Sequence, residues 1–301
     1  MGVTDAAIAQ APATSIGSTG SVTVQRAPTA AASSISDAVP SPSPIYHQAS
    51  ILCLQFDSEL LVTGSSDATC IVWSIREDYR PVRRLEYHSL GVLDVCLDAK
   101  RIVTCSKDTT LCVWDRETGE MLRHLSGHKG PVNAIQMRGN LVVSTGGDAL
   151  IKLWNLDSGK CVREFAGHTR GLACVQFSED SRLIVSGGND HIIRIWDANT
   201  GECLRELHGH RDLVRSLHLD SANGRVISGS YDKSVKVFCL ETGNLLIDFP
   251  KWTSNWILCT KADYRRIIAT SQCGRTFIMD FGKFISGIET LEGRAYASAE
   301  I

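Results

Sequence analysis

The sequence predicts an all-β fold, and the prediction depends on a repeat that runs through most of the chain. Five tracts superpose on one another, and a weaker sixth copy follows them. The aromatic residues that end the five tracts are separated by 41, 40, 42 and 42 residues, and the sixth copy ends 41 residues later. A period of about 40 residues with several short strands per copy indicates a β-propeller with one blade per copy. We therefore expect six recognisable blades, the sixth of them degenerate.

Each copy has the strand pattern that a blade needs. The copies start at Ile51, Val92, Val132, Leu172, Val214 and Ile257, and they end at Trp73, Trp114, Trp154, Trp196, Phe238 and Met279. Within a copy, three β-rich runs are bounded by Gly, Asp, Ser and Asn at turn positions. The run Leu111–Trp114 alternates too little for a half-exposed strand, which predicts burial on both faces. A fourth, outer strand is expected at Met121–Leu125, Cys161–Phe165 and Cys203–Leu207.

The composition separates the repeats from two tails. Residues 1–45 are rich in Ala, Ser, Thr and Pro and include only three charged residues. Such a segment cannot bury enough apolar surface to offset its ordering entropy. We predict a disordered tail over 1–45, a propeller over 46–282 and a C-terminal tail over 283–301.

The composition also argues against several function classes. The 31 Lys and Arg residues nearly balance the 33 Asp and Glu residues, for a net charge of −2, so we expect no nucleic-acid partner. There is no apolar run of 18 residues and no signal-peptide pattern, so we expect no membrane partner and a cytoplasmic or nuclear location. The eleven cysteines follow no metal-ligand spacing. We expect reduced, packed thiols, without a metal or cofactor.

The repeats resemble a known family. A Gly-His pair such as Gly127–His128 precedes a tract, and a Trp-Asp pair such as Trp114–Asp115 closes one, as in the WD40 repeat. Over residues 46–282, the segments SILCLQFD, VTGSSDAT, VTCSKD, GHKGPVN, GHTRGLACVQ and GHRDLVR are similar to the β-transducin-repeat-containing F-box proteins. Those proteins are substrate receptors of SCF-type ubiquitin ligases in ubiquitin-dependent protein catabolism. Their seven-bladed propeller binds a doubly phosphorylated Asp-Ser-Gly-x-x-Ser degron on its top face.

The WD40 resemblance implies a polar network inside each blade. A His, an Asp, a Ser or Thr and the closing Trp link the strands of one blade in that family. Here these residues are His47, Asp67, Thr63 and Trp73; His88, Asp108, Thr104 and Trp114; His128, Asp148, Ser144 and Trp154; His168, Asp190, Ser186 and Trp196; and His210, Asp232 and Ser228, with Phe238 in place of Trp. The sixth copy has Lys251, Ala269 and Cys273 at the corresponding places, so we expect it to lack the network.

The F-box resemblance also implies a phosphopeptide site. The positions that match the degron contacts of the family are Ser50, Ser66, Leu93, Lys107, Asn133, Arg170, Leu213 and Arg215. The two arginines would grip phosphate across the central channel, because a planar guanidinium suits an anion with three acceptor oxygens. The serine hydroxyls would fill the remaining acceptor sites, and the leucines would line the path of the peptide. Phosphorylated protein substrates are the expected partners.

Two features of the F-box family have no counterpart in the sequence. No F-box pattern precedes the repeats, and the alignment starts at the family's second blade, so one phosphate-binding arginine is missing. Ser254 takes the place of another top-face arginine. We therefore expect weaker phosphopeptide binding, and a ubiquitin-ligase adaptor as a partner only if a longer form carries an F-box. A truncated form or an incomplete gene model is the hypothesis that follows.

The sequence leaves other functional hypotheses open. A general WD40 scaffold without phosphate specificity is the main alternative to the phosphodegron receptor. An enzyme is disfavoured, because a His/Asp/Ser set that recurs five times at one spacing indicates a structural role, and no other nucleophile, phosphate loop or metal motif occurs. Trp252 and Trp256 stand where the sixth Gly-His pair would be, and they are either core residues or an exposed feature of the rim.

Overall fold

The computed structural model describes residues 45–282, and this part of the chain is all β, with 23 strands in six sheets and no helix. The tails expected over 1–45 and 283–301 lie outside the described residues, except for residue 45. The predicted fold class is confirmed, and each of the six sequence copies forms one sheet, which we number as blades 1 to 6.

The blades have the following strands. Blade 1 contains β1 (Ile51–Phe56), β2 (Leu60–Ser65), β3 (Thr69–Ser74) and β4 (Arg80–Glu86), and blade 2 contains β5 (Val92–Leu97), β6 (Arg101–Ser106), β7 (Leu111–Asp115) and β8 (Met121–Leu125). Blade 3 contains β9 (Val132–Arg138), β10 (Leu141–Gly146), β11 (Ile151–Asn155) and β12 (Lys160–Phe165), and blade 4 contains β13 (Leu172–Phe177), β14 (Leu183–Gly188), β15 (Ile193–Asp197) and β16 (Cys203–Leu207). Blade 5 contains β17 (Val214–Asp220), β18 (Arg225–Ser230), β19 (Val235–Cys239) and β20 (Leu245–Phe249), and blade 6 contains β21 (Ile257–Ala262), β22 (Arg266–Ser271) and β23 (Thr276–Asp280).

Every blade is an antiparallel meander in which sequence neighbours pair. In each four-stranded blade the register shifts between the third and fourth strands, at the aromatic anchor, for example between Val113 and Trp114. The first strands of consecutive blades pack against one another in chain order, from β1 to β21. These six strands are therefore the inner strands of the array. The third strands are buried on both faces, as Leu111–Trp114 in β7 shows.

In each blade the residue after the blade Asp position, in the turn between the second and third strands, has a left-handed backbone conformation. The φ values are 71° at Ala68, 76° at Thr109, 65° at Ala149, 66° at His191, 72° at Lys233 and 75° at Gly274. Only blade 6 places a glycine there, although a residue with a Cβ pays a steric cost in this region. The same tight turn therefore brings the end of the second strand back to the third in all six blades.

The hydrophobic core consists of five clusters, and each cluster joins two consecutive blades. The clusters lie between blades 1 and 2, 2 and 3, 3 and 4, 4 and 5, and 5 and 6. Trp114 of blade 2, for example, packs in the same cluster as Val62 and Val72 of blade 1. Within residues 45–282, no core cluster joins blade 6 to blade 1. The array therefore has five interblade cores for six blades.

The two ends of the array expose apolar positions that are buried in the other blades. Ile51 opens β1 and is 53% exposed, whereas Ile257 at the same position of β21 is fully buried. At the other end, Ile278 in β23 is 61% exposed, whereas the corresponding Val237 in β19 is 2% exposed. Leu54 and Phe56 of β1 are also more than half exposed. The described part of the chain thus ends in two uncovered blade faces.

Candidate functional site

The inner strands start side by side, which brings one set of loops from all blades to the same end of the array. The Asn133 side-chain amide in β9 donates to the Leu172 carbonyl in β13 at 2.7 Å, and the Ile135 amide donates to the Asp94 carboxylate in β5 at 2.9 Å. The Ser216 and Thr260 hydroxyls, in β17 and β21, are 2.7 Å apart. We call this end the top face. In each blade the top face has two parts. The first runs from the residue after the blade His to the second residue of the inner strand. The second consists of the two residues that flank the blade Asp.

Each of blades 1 to 5 contains a chain of hydrogen bonds among the polar residues that the WD40 resemblance singles out. In blade 3 the Trp154 indole N–H donates to the Ser144 hydroxyl at 2.8 Å, and that hydroxyl lies 2.8 Å from His128 Nε2. His128 Nδ1 lies 2.9 Å from the Asp148 carboxylate. The His Nδ1 to Asp distances in the five blades run from 2.7 to 3.3 Å, and the His Nε2 to hydroxyl distances from 2.7 to 2.9 Å.

The burial of these residues sets their protonation. Burial lowers the pKa of His88 and His128 in spite of their carboxylate partners, which favours neutral rings that donate from Nδ1 and accept at Nε2. Burial acts to raise the pKa of Asp232, but hydrogen bonds from His210, Ser234 and the Arg211 amide outweigh it and hold the pKa well below its usual range. Asp67 and Asp190 behave in the same way. The blade aspartates are therefore ionised, and their oxygens are engaged in hydrogen bonds within the blade.

The network has more hydroxyl groups than sequence reasoning identified. Ser65, Ser106 and Ser230 lie two residues before the blade Asp, accept a hydrogen bond from its backbone amide, and donate to a carbonyl of the top face. Two residues after the Asp, the hydroxyls of Thr69, Thr110 and Ser234 donate to its carboxylate. A hydroxyl residue on both sides of the Asp in blades 1, 2 and 5 is the sequence signal that could have revealed them.

The blade Asp also holds the top loop in place. In blades 1 to 5 the backbone amide after the blade His donates to the Asp carboxylate, at 2.7 Å for Gln48, 3.0 Å for Ser89, 2.8 Å for Lys129, 3.2 Å for Thr169 and 2.9 Å for Arg211. A second hydrogen bond is made in all six blades and is 2.8–3.0 Å long. In it, the backbone amide of the residue before the Asp position donates to a backbone carbonyl at the start of the inner strand. The Ser66 amide and the Ser50 carbonyl form this bond in blade 1, 2.9 Å apart. The loops of the top face are thus preorganised by the fold.

Blade 6 corrects one sequence assignment. The Gln272 amide donates to the Trp256 carbonyl, as the residue before the Asp position does in every blade, and this bond sets the register. Thr253, three residues before Trp256, therefore occupies the position of the blade His, and the assignment of Lys251 to that position was wrong. Thr253 is buried and donates to the Asn255 carbonyl, whereas Lys251 is exposed. The blade His precedes the blade Asp by 20 residues in blades 1 to 3 and by 22 residues in blades 4 and 5. The error arose because blade 6 has the shorter of these two separations, whereas Lys251 fits the longer one.

All eight residues matched to degron contacts lie on the top face. Arg170, Arg215, Lys107, Ser50 and Ser66 are exposed, and Leu93, Asn133 and Leu213 are partly buried. The Ser66 hydroxyl donates to the Ser50 carbonyl at 3.2 Å, so it must rotate to reach a ligand. The side-chain amide of Asn133 already donates to blade 4. Asn133 therefore has a structural bond in addition to any contact that it makes with a ligand.

Arg215 is the top-face cation whose charge acts on other inner strands. Burial raises the pKa values of Asp94 in blade 2 and of Cys174 in blade 4, and the positive charge of Arg215 opposes this rise at both groups. Desolvation outweighs this effect at Asp94 and raises the pKa of its carboxyl group to about 6, although two backbone amides donate to it. Lys261 in β21 adds a second positive charge that acts on Asp94. Arginine and lysine side chains thus act on the inner strands from the side of blades 5 and 6.

Most of the exposed charged side chains of the top face are cationic, although the five ionised blade aspartates beneath the loops balance much of their charge. One acidic residue, Asp212, lies on this face apart from the engaged blade aspartates. Six exposed cations lie on it: Lys107, Lys129, Arg170, Arg211, Arg215 and Lys233. The exposed charged side chains of this face are therefore mainly N–H donors.

Within residues 45–282, no group of three or more His, Cys, Asp or Glu side chains is placed to hold a metal ion. The same part of the chain has no helix of the length and apolarity needed to cross a membrane.

Burial raises the pKa of Cys112 and Cys174 to about 12, so these thiols are protonated core residues.

Four-stranded blades with a His–Asp–hydroxyl–Trp network and a loop-built top face define a WD-repeat propeller, a class of protein-interaction scaffold. The chain belongs to the WD40 family, described as WD domain, G-beta repeat, whose model matches residues 42–74, 79–115, 119–155, 159–197 and 201–239. Each segment ends with the third strand of one of blades 1 to 5, and from the second segment on it begins with the fourth strand of the preceding blade. The outer strand β20 and the degenerate blade 6 are not matched. WD40 repeats bind protein partners.

Comparison with solved structures agrees with this assignment. The chain is similar to the crystal structure of the computationally designed Ika8 protein, with a TM-score of 0.71 and 28% sequence identity over 78% of this chain and 72% of the other. No curated protein sequence matches the chain.

Proposed function

We propose that the top face is a receptor for acidic, phosphorylated peptide segments of other proteins. The observation that carries this proposal is that six exposed side chains of the face are Lys or Arg and one is acidic, while the ionised blade aspartates beneath them already accept hydrogen bonds from the loops. Arg170 and Arg215 are the residues that we expect to bind phosphate, each through a planar fork of N–H donors. The resemblance to the F-box family supports the same two residues and the Asp-Ser-Gly-x-x-Ser type of peptide.

The positions of the arginines support a ligand that spans the channel. Arg170 belongs to the loop of blade 4, and Arg215 is the second residue of β17 in blade 5, where its charge acts on Asp94 in blade 2. Each charged hydrogen bond contributes about 1.5–3 kcal/mol. Two such contacts are enough to separate a phosphorylated peptide from its unphosphorylated form by at least a factor of ten.

A role in ubiquitin-dependent proteolysis would require more than this face. Delivery of a bound substrate to a ligase adaptor needs an F-box, so we propose that part of the role only for a form of the protein that carries one. The general WD40 scaffold is the alternative function, and it predicts partners whose binding does not depend on phosphorylation. We expect either function in the cytoplasm or the nucleus.

A peptide-binding experiment separates these functions. Fluorescence anisotropy would compare an Asp-Ser-Gly-x-x-Ser peptide, with and without phosphate on both serines, on the wild-type chain and on an Arg170→Glu/Arg215→Glu variant. We expect tighter binding of the phosphorylated peptide to the wild type, by at least about tenfold, and loss of this preference in the variant. Equal binding of the two peptides to the wild type would leave only the general scaffold.

A matched variant controls for net charge. Lys100 and Lys160 are exposed and lie at the opposite end of the blades. Lys100 is in the turn between β5 and β6, and Lys160 is the first residue of β12. Lys100→Glu/Lys160→Glu makes the same change in net charge as the arginine variant. We expect it to keep the phosphate preference. If it loses the preference as well, the top-face arginines are not the binding residues.

A further inference from the structure

Two aromatic side chains of the top face form a stacked pair that the blade framework does not need. The Trp256 and Tyr231 rings have centroids 4.5 Å apart and planes that differ by 7°. Trp256 is 40% exposed. It lies at the start of the inner strand of blade 6, and Tyr231 precedes the blade Asp of blade 5.

The other tryptophan of the same segment behaves differently. Trp252 is partly buried and packs with Phe249, at 5.2 Å between ring centroids, and with Phe277, at 6.0 Å. It belongs to the core cluster between blades 5 and 6, whereas Trp256 is not a member of that cluster. Of the two roles left open by the sequence, Trp252 therefore has the core role and Trp256 is the exposed feature.

The blade repeat shows that an aromatic residue is not a structural requirement at this position. The residues that occupy the position of Trp256 in blades 1 to 5 are Ser50, Gly91, Pro131, Gly171 and Leu213. The backbone carbonyl at this position makes the same bond whatever the side chain is. The exposed indole thus adds apolar surface at a place where the fold accepts a small polar residue.

The stacked pair lies beside the cations of the proposed peptide site. The Tyr231 amide donates to the carbonyl of Leu213, which immediately precedes β17, at 2.9 Å, and Arg215 is the second residue of that strand. Lys233 is two residues after Tyr231, on the other side of the blade Asp. An apolar ring surface and exposed positive charges are therefore neighbours on blades 5 and 6. Aromatic rings stack favourably on other ring-bearing side chains, and exposed aromatic anchors next to arginine are typical of binding hot spots.

We propose that Trp256 and Tyr231 form a subsite for a ring-bearing side chain, aromatic or proline, of the acidic peptide that the top face binds. This inference rests on the proposed function for the location of the peptide. The cations select the acidic group, and the stacked rings select the residue that flanks it. The net charge of −2 and the WD40 class favour a protein segment over a nucleic acid as the source of the ring.

The test uses a set of phosphopeptides in which Ala, Phe or Pro is placed in turn at each position flanking the Asp-Ser-Gly-x-x-Ser core. For the wild-type chain we expect at least one position where Phe or Pro binds about 5- to 10-fold tighter than Ala. In Trp256→Ala this preference is lost, whereas in Trp256→Phe most of it is kept. If no position shows a preference, or if Trp256→Ala leaves the preference unchanged, the subsite does not exist.

Two readouts separate this inference from the proposed function. Dependence on phosphate reports the arginines, and dependence on the ring reports Trp256. If phosphate has no effect but the ring preference is present and is lost in Trp256→Ala, the proposed function fails and the subsite stands. Binding of a single-stranded oligonucleotide that competes with the peptide and depends on Trp256 would overturn the peptide assignment. Thermal unfolding of each variant checks that it is folded, which we expect because Trp256 is outside the core cluster.

Discussion

The backbone amide of Thr169 donates a hydrogen bond to the carboxylate of Asp190 at 3.2 Å. Through this bond, a residue of the blade network holds the loop that carries Arg170, the next residue in the chain. The same carboxylate accepts from the His168 ring at 2.7 Å and from Arg194 at 2.8 Å. The network that gives the blade its stability therefore also positions a candidate binding residue.

Removal of this carboxylate is expected to destabilise the fold strongly. Asp190→Ala removes the acceptor of the His168 Nδ1–H and of the Thr169 amide, and it leaves Glu206 as the remaining carboxylate partner of the buried Arg194. Loss of one member of a buried ion pair costs about 3–5 kcal/mol. Cys273→Ala changes the corresponding position of blade 6, where the side chain is exposed, and should cost less than about 0.5 kcal/mol. Urea unfolding of both variants measures the difference. Similar losses in the two variants would show that the network does not stabilise the blade.

The uncovered face of blade 1 gives a second prediction. Ile51→Ala and Ile257→Ala are the same substitution at the same blade position, but the first side chain is 53% exposed and the second is fully buried. Ile257→Ala should lower the free energy of unfolding by about 2–5 kcal/mol, whereas Ile51→Ala should lower it by less than about 1 kcal/mol. Chemical denaturation checks both values. Equal losses would mean that the face of blade 1 is covered in solution.

The carboxyl group of Asp94 gives a prediction for pH. Its pKa of about 6 lies above the usual value of 3.8, so the folded state binds more protons than the unfolded state between these values. The stability contributed by this group is fully present below about pH 4 and is lost as the pH rises to 6, by about 3 kcal/mol. Asp94→Asn removes this loss.

The measurement is the difference in unfolding free energy between Asp94→Asn and the wild type. Relative to the wild type, the variant should become more stable by about 3 kcal/mol between pH 4 and pH 7, whatever the constant cost of the substitution. The blade aspartates, whose pKa values are lowered, contribute stability that is lost only at more acidic pH. A difference that does not vary with pH would contradict the raised pKa of Asp94.

The left-handed turn gives a fourth prediction. Gly274→Ala adds a Cβ that meets no atom within 4 Å, so its effect isolates the backbone strain at a φ of 75°. We expect a loss of about 1 kcal/mol. Ala149→Gly makes the reverse change at a φ of 65° in blade 3 and should stabilise the protein by up to about 1 kcal/mol. Thermal unfolding of both variants tests this, and effects of the same sign would contradict it.

Most of the fold could be predicted because the repeat is local and periodic. The spacing of Trp73, Trp114, Trp154 and Trp196 counts the blades, and runs such as Leu111–Trp114 identify the buried strands without any knowledge of neighbours. Blade 6 was the exception. Its His position was misassigned to Lys251 because only the backbone bond between Gln272 and Trp256 sets its register, and a degenerate copy has no side-chain pattern that reveals that bond.

The candidate site could be predicted only in part. Arg170 and Arg215 were identified by motif, but the roles of Trp252 and Trp256 could not be separated from the sequence, because both are aromatic residues four positions apart in one loop. Packing against Phe249 and Phe277, or stacking on Tyr231, depends on contacts between residues that are distant in the chain. The effect of the Arg215 charge on the pKa of Asp94 likewise acts between two blades that are distant in the chain, blades 5 and 2.

The number of blades was determined by the sequence alone, because each blade has its own strands and turns within about 40 residues. The number of interfaces between those blades was decided only by the tertiary structure. Five core clusters join six blades, and Ile51 and Ile278 are exposed at the two ends. The physical reason is that a blade face becomes buried only when another blade packs on it, and the sequence of a single blade does not specify that neighbour.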